Sequence, residues 1–163
     1  MTTPVFTQTL QVCVVVRDLD RAMRTYVHEY GIGPWDIYDF NPDTVSGMHE
    51  GGQPVERSFR LALAMVGSLQ WELIQPLDGE SIYAKFLAEH GEGIHHVGVA
   101  TPDFDGTIAA QKEKGNDVLF GGHYNGVSFA YLSTERDMGV ITEIFSAPPG
   151  DDQKPDAVYP PQG

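Results

Sequence analysis

Cysteine is almost missing from this chain: Cys13 is the only one in 163 residues. An intrachain disulfide is therefore excluded, as are the cysteine-rich zinc frameworks, and any metal is expected on histidine, carboxylate or amide groups. Basic residues are scarce too. Ten Lys and Arg stand against 23 Asp and Glu, a formal net charge of −13. That charge repels phosphate backbones, and no Lys/Arg cluster is present to overcome the repulsion, so no nucleic-acid partner is expected. No apolar run approaches the roughly 20 residues that cross a bilayer, and the opening MTTPVFTQTL lacks the basic and apolar regions of a secretory leader. No membrane association and a cytoplasmic location follow as expectations. With 41% apolar residues, the chain can fill one domain core, or two small modules sharing one.

What is present is a faint internal repeat. Residues 11–29, QVCVVVRDLDRAMRTYVHE, run as an apolar strand, an acidic turn and an amphipathic helix, and residues 96–114, HVGVATPDFDGTIAAQKEK, do the same. Without a gap, Gln11 falls on His96, Val12 on Val97, Asp18 on Asp103 and Asp20 on Asp105. Glycines, Gly31 and Gly115, stop both helices. Each half continues into β-like segments: RLALAMVG and LQWELIQP in the first, VSFAYLST and GVITEIFSAP in the second. Between them, WDIYDF reads as a strand followed by a long loop rich in Gly, Pro and Asp. The reading gives a first module over about 8–76, a connecting segment over about 77–92 with a helix from Ser81 to Gly91, a second module over about 93–148, and a Pro- and Gly-rich tail over 149–163 that is mobile or hugs the surface.

Polar residues inside apolar strands carry the chemistry. On a strand starting at Ile94, alternation places His96 on the face of Gly98 and Ala100 and sends His95 to the other. Its repeat counterpart Gln11 shares a face with Cys13 and Val15. The last strand of each half adds a carboxylate between apolar neighbours, Glu72 in WELI and Glu143 in ITEIF. Alone, each reads as a solvent-facing side chain on an edge strand. A buried carboxylate, however, needs a partner. Two repeats curling around a shared cavity bring Gln11, Glu72, His96 and Glu143 together as oxygen and nitrogen donors, with positions left open for a substrate.

These strand-turn-helix units and Glu-bearing strands resemble the vicinal oxygen chelate superfamily (glyoxalase, bleomycin resistance protein, dioxygenase), over residues 8 to about 148. QPLDGESIYAKFLAEHGEGIHHVGVATPD resembles most closely the methylmalonyl-CoA epimerase branch. The resemblance implies an α+β fold of two paired βαβββ modules, whose mixed β-sheet forms a U-shaped cleft around one divalent ion with the helices outside. It carries the second-half ligands onto His96 and Glu143 and a first-half ligand onto Glu72. The remaining position, usually histidine, holds Gln11, an amide and a weaker donor, with three alternatives: a lower affinity, a preference moved toward harder ions, or a vestigial site. The ion is one of Mn, Co, Ni, Zn or Mg.

Such a site suits proton removal next to a carbonyl, the step common to epimerases, isomerases and some lyases. Glu143 is expected to carry a proton. The family's other base falls on Glu56 if ERSFRLALAMVG is matched without a gap, or on a glycine if GGQPV is matched instead. Trp35 and Tyr38 in GPWDIYDF, together with His123 in FGGHYNG, are candidates to face a small-molecule substrate. Cys13 reads as core filler. The leading expectation is an isomerase or epimerase on an acyl-CoA or other enolisable substrate. The alternatives are a lyase on an aromatic or hydroxy-ketone substrate, or a non-catalytic binding module. A homodimer through sheet edges or the opening strand suits such modules.

Overall fold

Asp18 and Asp103, aligned in the repeat, each cap a helix: their carboxylates accept the backbone N–H of Arg21 and of Gly106 respectively. At the far end of the first helix, Gly31 takes a left-handed conformation (φ 66°), which lets its N–H and that of Ile32 close on Val27 and Tyr26 carbonyls. The computed structural model describes residues 4–147 and 154–162. In chain order the elements are β1 (Gln8–Val15), α1 (Leu19–Tyr30), β2 (Trp35–Phe40), β3 (Ser46–Glu50), β4 (Gln53–Pro54), β5 (Phe59–Val66), β6 (Leu69–Pro76) and α2 (Ile82–His90). The second half follows with β7 (Gly93–Ala100), α3 (Phe104–Glu113), β8 (Val118–Tyr124), β9 (Val127–Leu132), α4 (Glu135–Met138), β10 (Ile141–Phe145) and β11 (Ala157–Tyr159).

All the strands join one mixed sheet in the order β11-β2-β5-β6-β1-β7-β10-β9-β8-β3-β4. The repeat is explicit in the pairing. In each half the first strand lies parallel to the last, β1 with β6 and β7 with β10, and the remaining strands follow antiparallel. The halves meet through the antiparallel pair β1·β7. This is the α+β architecture of two βαβββ modules with their helices outside. The sheet curls: Phe40 on β2 stacks on Tyr124 of β8 at 4.3 Å although many strands separate them in the sheet order. The opening strand is paired on both sides within the chain, so the outer edges are β11 and β4.

Three apolar clusters hold these layers. Leu19 and Met23 of α1, one turn apart, pack with Trp35, Ile37, Ala62 and Leu73 on the outer face of the first half. Phe104 and Ile108 of α3 pack likewise on Val99, Leu132 and Ile144. The largest cluster, including Tyr38, Phe59, Tyr83, Phe120 and Tyr131, lies inside the curl. Trp35 therefore does not face substrate, in contrast to the sequence expectation. It is fully buried under α1, its ring edge-on to Tyr26 at 5.4 Å and its Nε1 donating to the Ile32 carbonyl at 2.9 Å. Alternation along β2 puts Trp35 and Tyr38 on opposite faces, and the larger ring fills the helix side. Trp35→Ala is expected to lower stability by about 3–5 kcal/mol, read as a fall in the urea midpoint with metal content preserved in the folded fraction.

Two departures from the sequence reading lie toward the outer edges of the sheet. The long loop after β2 contains β3, which leaves its own half and pairs with β8 of the other. Its short, Gly-containing stretch SGMHE has no strong local strand signal and becomes a strand only because β8 offers an open edge. The tail, in turn, supplies β11, which pairs with β2, while the Asp156 carboxylate accepts the Asp39 N–H at 2.8 Å. Residues 148–153 of that tail lie outside the described residues. No helix among the described residues is long and apolar enough to cross a membrane.

Candidate metal centre

At the seam between the halves, strand register decides which side chains meet. Across β6-β1-β7, Cys13 pairs with Glu72 on one side and His96 on the other; one pleat along, Gln11 pairs with Gln70 and Gly98, and Gly98 with Glu143. Gln11, Glu72, His96 and Glu143 are all buried, with exposures of 5%, 5%, 0% and 5%. His96 Nε2 lies 3.3 Å from Glu72 Oε2 and 3.1 Å from Glu143 Oε2. Gln11 is turned by Gln70, whose Oε1 accepts its amide N–H at 2.8 Å. Gly98 makes room for it: a Cβ there would lie 3.0 Å from Gln11 Cβ and 3.3 Å from its Oε1.

The adjacent histidines do not part company as alternation suggests. Cys13 pairs with His96 but Val14 with Ile94, so His95 is an extra residue, a bulge that breaks the period of two. Both rings consequently turn inward and share an Nδ1···Nδ1 hydrogen bond of 2.9 Å. This corrects the inward-outward assignment. His95 packs against Tyr83 and Phe86 of α2, and the Tyr83 and Tyr131 hydroxyls hydrogen-bond to each other at 2.7 Å beside it. Burial and the neighbouring His96 push the His95 imidazole down to about 3, so it stays neutral. By occupying His96 Nδ1 it leaves Nε2 for the carboxylates, the usual way a ligand histidine is oriented.

Electrostatics mark the cluster as cation-hungry. Burial opposes charge on His96, but Cys13, Glu143 and Glu72 outweigh it and hold the imidazole well above its ordinary range. Burial pushes the Glu143 carboxyl up, against the pull of His96. Among the described residues, three buried side-chain atoms make no well-aligned hydrogen bond: Gln11 Oε1, and Glu72 Oε2 and His96 Nε2, which meet only as an ion pair at 3.3 Å. They belong to a single cluster, and their chemistry, two oxygens and an imidazole nitrogen beside a further carboxylate, fits a divalent cation.

The cluster opens onto a cleft walled by Tyr38, Phe40, Tyr124, Phe129, Phe145 and their neighbours, with no Lys or Arg among the lining residues. Tyr38 thus reaches the cleft as expected from its aromatic segment. His123 does not. It lies exposed on β8, hydrogen-bonded to Ser128 Oγ at 2.7 Å, in a separate groove against α3. Glu56 is also outside: it is exposed on the segment between β4 and β5, beside Pro54 and Val55 in a different depression. That segment follows β4 to the far edge of the sheet, which carries Glu56 away from the seam. Glu56→Gln is expected to leave turnover and metal content unchanged and stability within about 0.5 kcal/mol, checked by steady-state kinetics and elemental mass spectrometry. Sequence reasoning misses the supporting Tyr83, Tyr131 and Gln70; Cys13, read as core filler, is fully buried in the inner cluster.

Paired βαβββ modules with a polar cluster at their seam define a glyoxalase-like class of protein. A family model for the Glyoxalase/Bleomycin resistance protein/Dioxygenase superfamily matches residues 10–131. The chain belongs to that superfamily. Its fold is similar to that of methylmalonyl-CoA epimerase from Mycobacterium tuberculosis, with TM-score 0.67 and 24% identity over 91% of this chain and 93% of that one. A variant of the Streptomyces coelicolor methylmalonyl-CoA epimerase in complex with 2-nitronate-propionyl-CoA is similar at TM-score 0.65 and 25% identity, over 86% and 94% of the two chains. In sequence, the uncharacterized protein YqjC of Bacillus subtilis (strain 168) is 28% identical over 99 residues, covering 59% of this chain and 70% of its own.

Proposed function

We propose that this protein is a divalent-metal-dependent isomerase or epimerase that moves a proton next to the carbonyl of an enolisable substrate, an acyl-CoA thioester or a related carbonyl compound. The observation that carries this reading is the buried set of donor atoms that make no well-aligned hydrogen bond, Gln11 Oε1, Glu72 Oε2 and His96 Nε2, beside Glu143. Gln11, Glu72, His96 and Glu143 are the residues that would hold the ion. A divalent cation supplies a Lewis acid for a substrate carbonyl, which favours loss of the adjacent proton. The rest of the work falls to the chain. Glu143 takes and returns the proton: it lines the cleft and stands beside His96 at the seam. His95 holds His96 in one tautomer. The aromatic wall excludes water and seats the apolar part of the substrate. Because no basic side chain lines the cleft, the nucleotide end of an acyl-CoA lies outside it. The similarity in fold to methylmalonyl-CoA epimerases supports an acyl-CoA substrate.

A lyase acting on an aromatic substrate is the second reading, favoured by the rings of Tyr38, Phe40, Tyr124 and Phe145 around the cleft. Both readings meet in one experiment: metal-loaded protein is incubated in deuterium oxide with a panel of acyl-CoA thioesters and aromatic hydroxy-ketones. Deuterium entering next to the carbonyl of an otherwise intact substrate supports the isomerase. Conversion to smaller fragments moves the lyase forward. Absence of both from a stoichiometrically loaded protein overturns the enzyme and leaves a binding module.

A further inference from the structure

We propose that Cys13 is itself a metal ligand, a thiolate buried beneath the cleft between Glu72 and His96, and that it turns the site toward zinc or cobalt rather than magnesium. This rests on the metal-centre reading above and goes beyond the oxygen and nitrogen donors that the sequence alone suggests.

The argument begins with register. Cys13 stands directly between Glu72 on β6 and His96 on β7, with all three side chains on the same face. One ligating atom from each of Cys13, Glu72 and His96 falls within a mutual distance of 4.8 Å. The residue has no exposed surface. Gln11 Oε1, buried and without a hydrogen-bond partner, adds a further donor beside them, and neither Glu72 Oε2 nor His96 Nε2 makes a well-aligned hydrogen bond.

The repeat sharpens the point. The ungapped alignment that sets Gln11 on His96 sets Cys13 on Gly98, so the two halves are unequal at the seam. The second half has an imidazole followed two residues later by no side chain. The first has an amide followed by sulfur. On β1, the weak donor at position 11 is thus accompanied by a strong one on the same face. Gly98 cannot be filled without crowding Gln11, whereas Cys13 is small enough to sit between Glu72 and His96. Thiolate ligands select zinc and cobalt over magnesium, which takes oxygen donors.

Binding breaks the S–H bond, releases that proton to solvent and forms one sulfur-metal bond. No electron is transferred. The test uses wild type, Cys13→Ser and Cys13→Ala, each loaded with cobalt(II) after chelation. The expected result is one cobalt per chain in wild type, with a thiolate-to-cobalt charge-transfer band in the near ultraviolet that both variants lose. Zinc affinity should fall at least about tenfold in Cys13→Ala, and magnesium should fail to displace zinc from wild type. Stoichiometric cobalt in wild type without the band overturns the Cys13 proposal and leaves the metal centre standing. Failure of wild type to take up any ion overturns both. Should the variants not fold, the wild-type spectrum still decides, since Cys13 is the only thiol in the chain.

Discussion

Alanine at position 96 is expected to remove the ion: affinity should fall by more than about 100-fold, beyond the 10- to 100-fold typical of disturbing a ligand's outer partners. His96 is fully buried and is the one group that touches both carboxylates, at 3.3 and 3.1 Å. Removing it deletes a donor and leaves Glu72 and Glu143 facing each other across the hole. A broken buried ion pair costs about 3–5 kcal/mol, so the variant without metal should also melt earlier. Elemental mass spectrometry of the reloaded variant, with a thermal melt alongside, checks both parts. A variant that still carries one ion per chain would place the metal elsewhere.

Glu143→Gln is expected to do something different, lowering turnover by about 10²- to 10⁴-fold, the usual contribution of a positioned acid or base. Metal should stay. The amide oxygen replaces a carboxylate oxygen in the same place, and the proposed site already includes an amide at Gln11. What disappears is the capacity to accept a proton inside a pocket whose burial raises the Glu143 carboxyl. Turnover and deuterium incorporation, measured on protein of verified metal content, separate the roles. Undiminished exchange in this variant would remove Glu143 from proton transfer, and loss of the ion would make it chiefly a ligand.

His96 and Glu143 stand out in the linear sequence because their oddity is local. A glutamate between apolar strand residues, and a histidine where the repeat has a glutamine, conflict with a strand's own preferences, and the conflict is visible in a window of a few residues. Glu56 misleads for the opposite reason. Its assignment depends on an alignment through a segment with little periodicity, and the path of such a segment is set by what it pairs with. Trp35 shows the same limit: a ring in WDIYDF announces burial, yet which face it fills depends on α1 lying over that strand.

What the sequence determined by itself is the repeat, the helix ends at Asp18, Gly31, Ser81 and Asp103, and the polar residues set into apolar strands, since caps and alternation act between near neighbours along the chain. Only the tertiary structure decided three things: that β3 crosses to β8, that a bulge at His95 brings both histidines inside, and that Cys13 stands between Glu72 and His96. Each is a matter of register between strands distant in the chain. A slip of one residue there reverses every side chain, and no local preference records which register the packed sheet will choose.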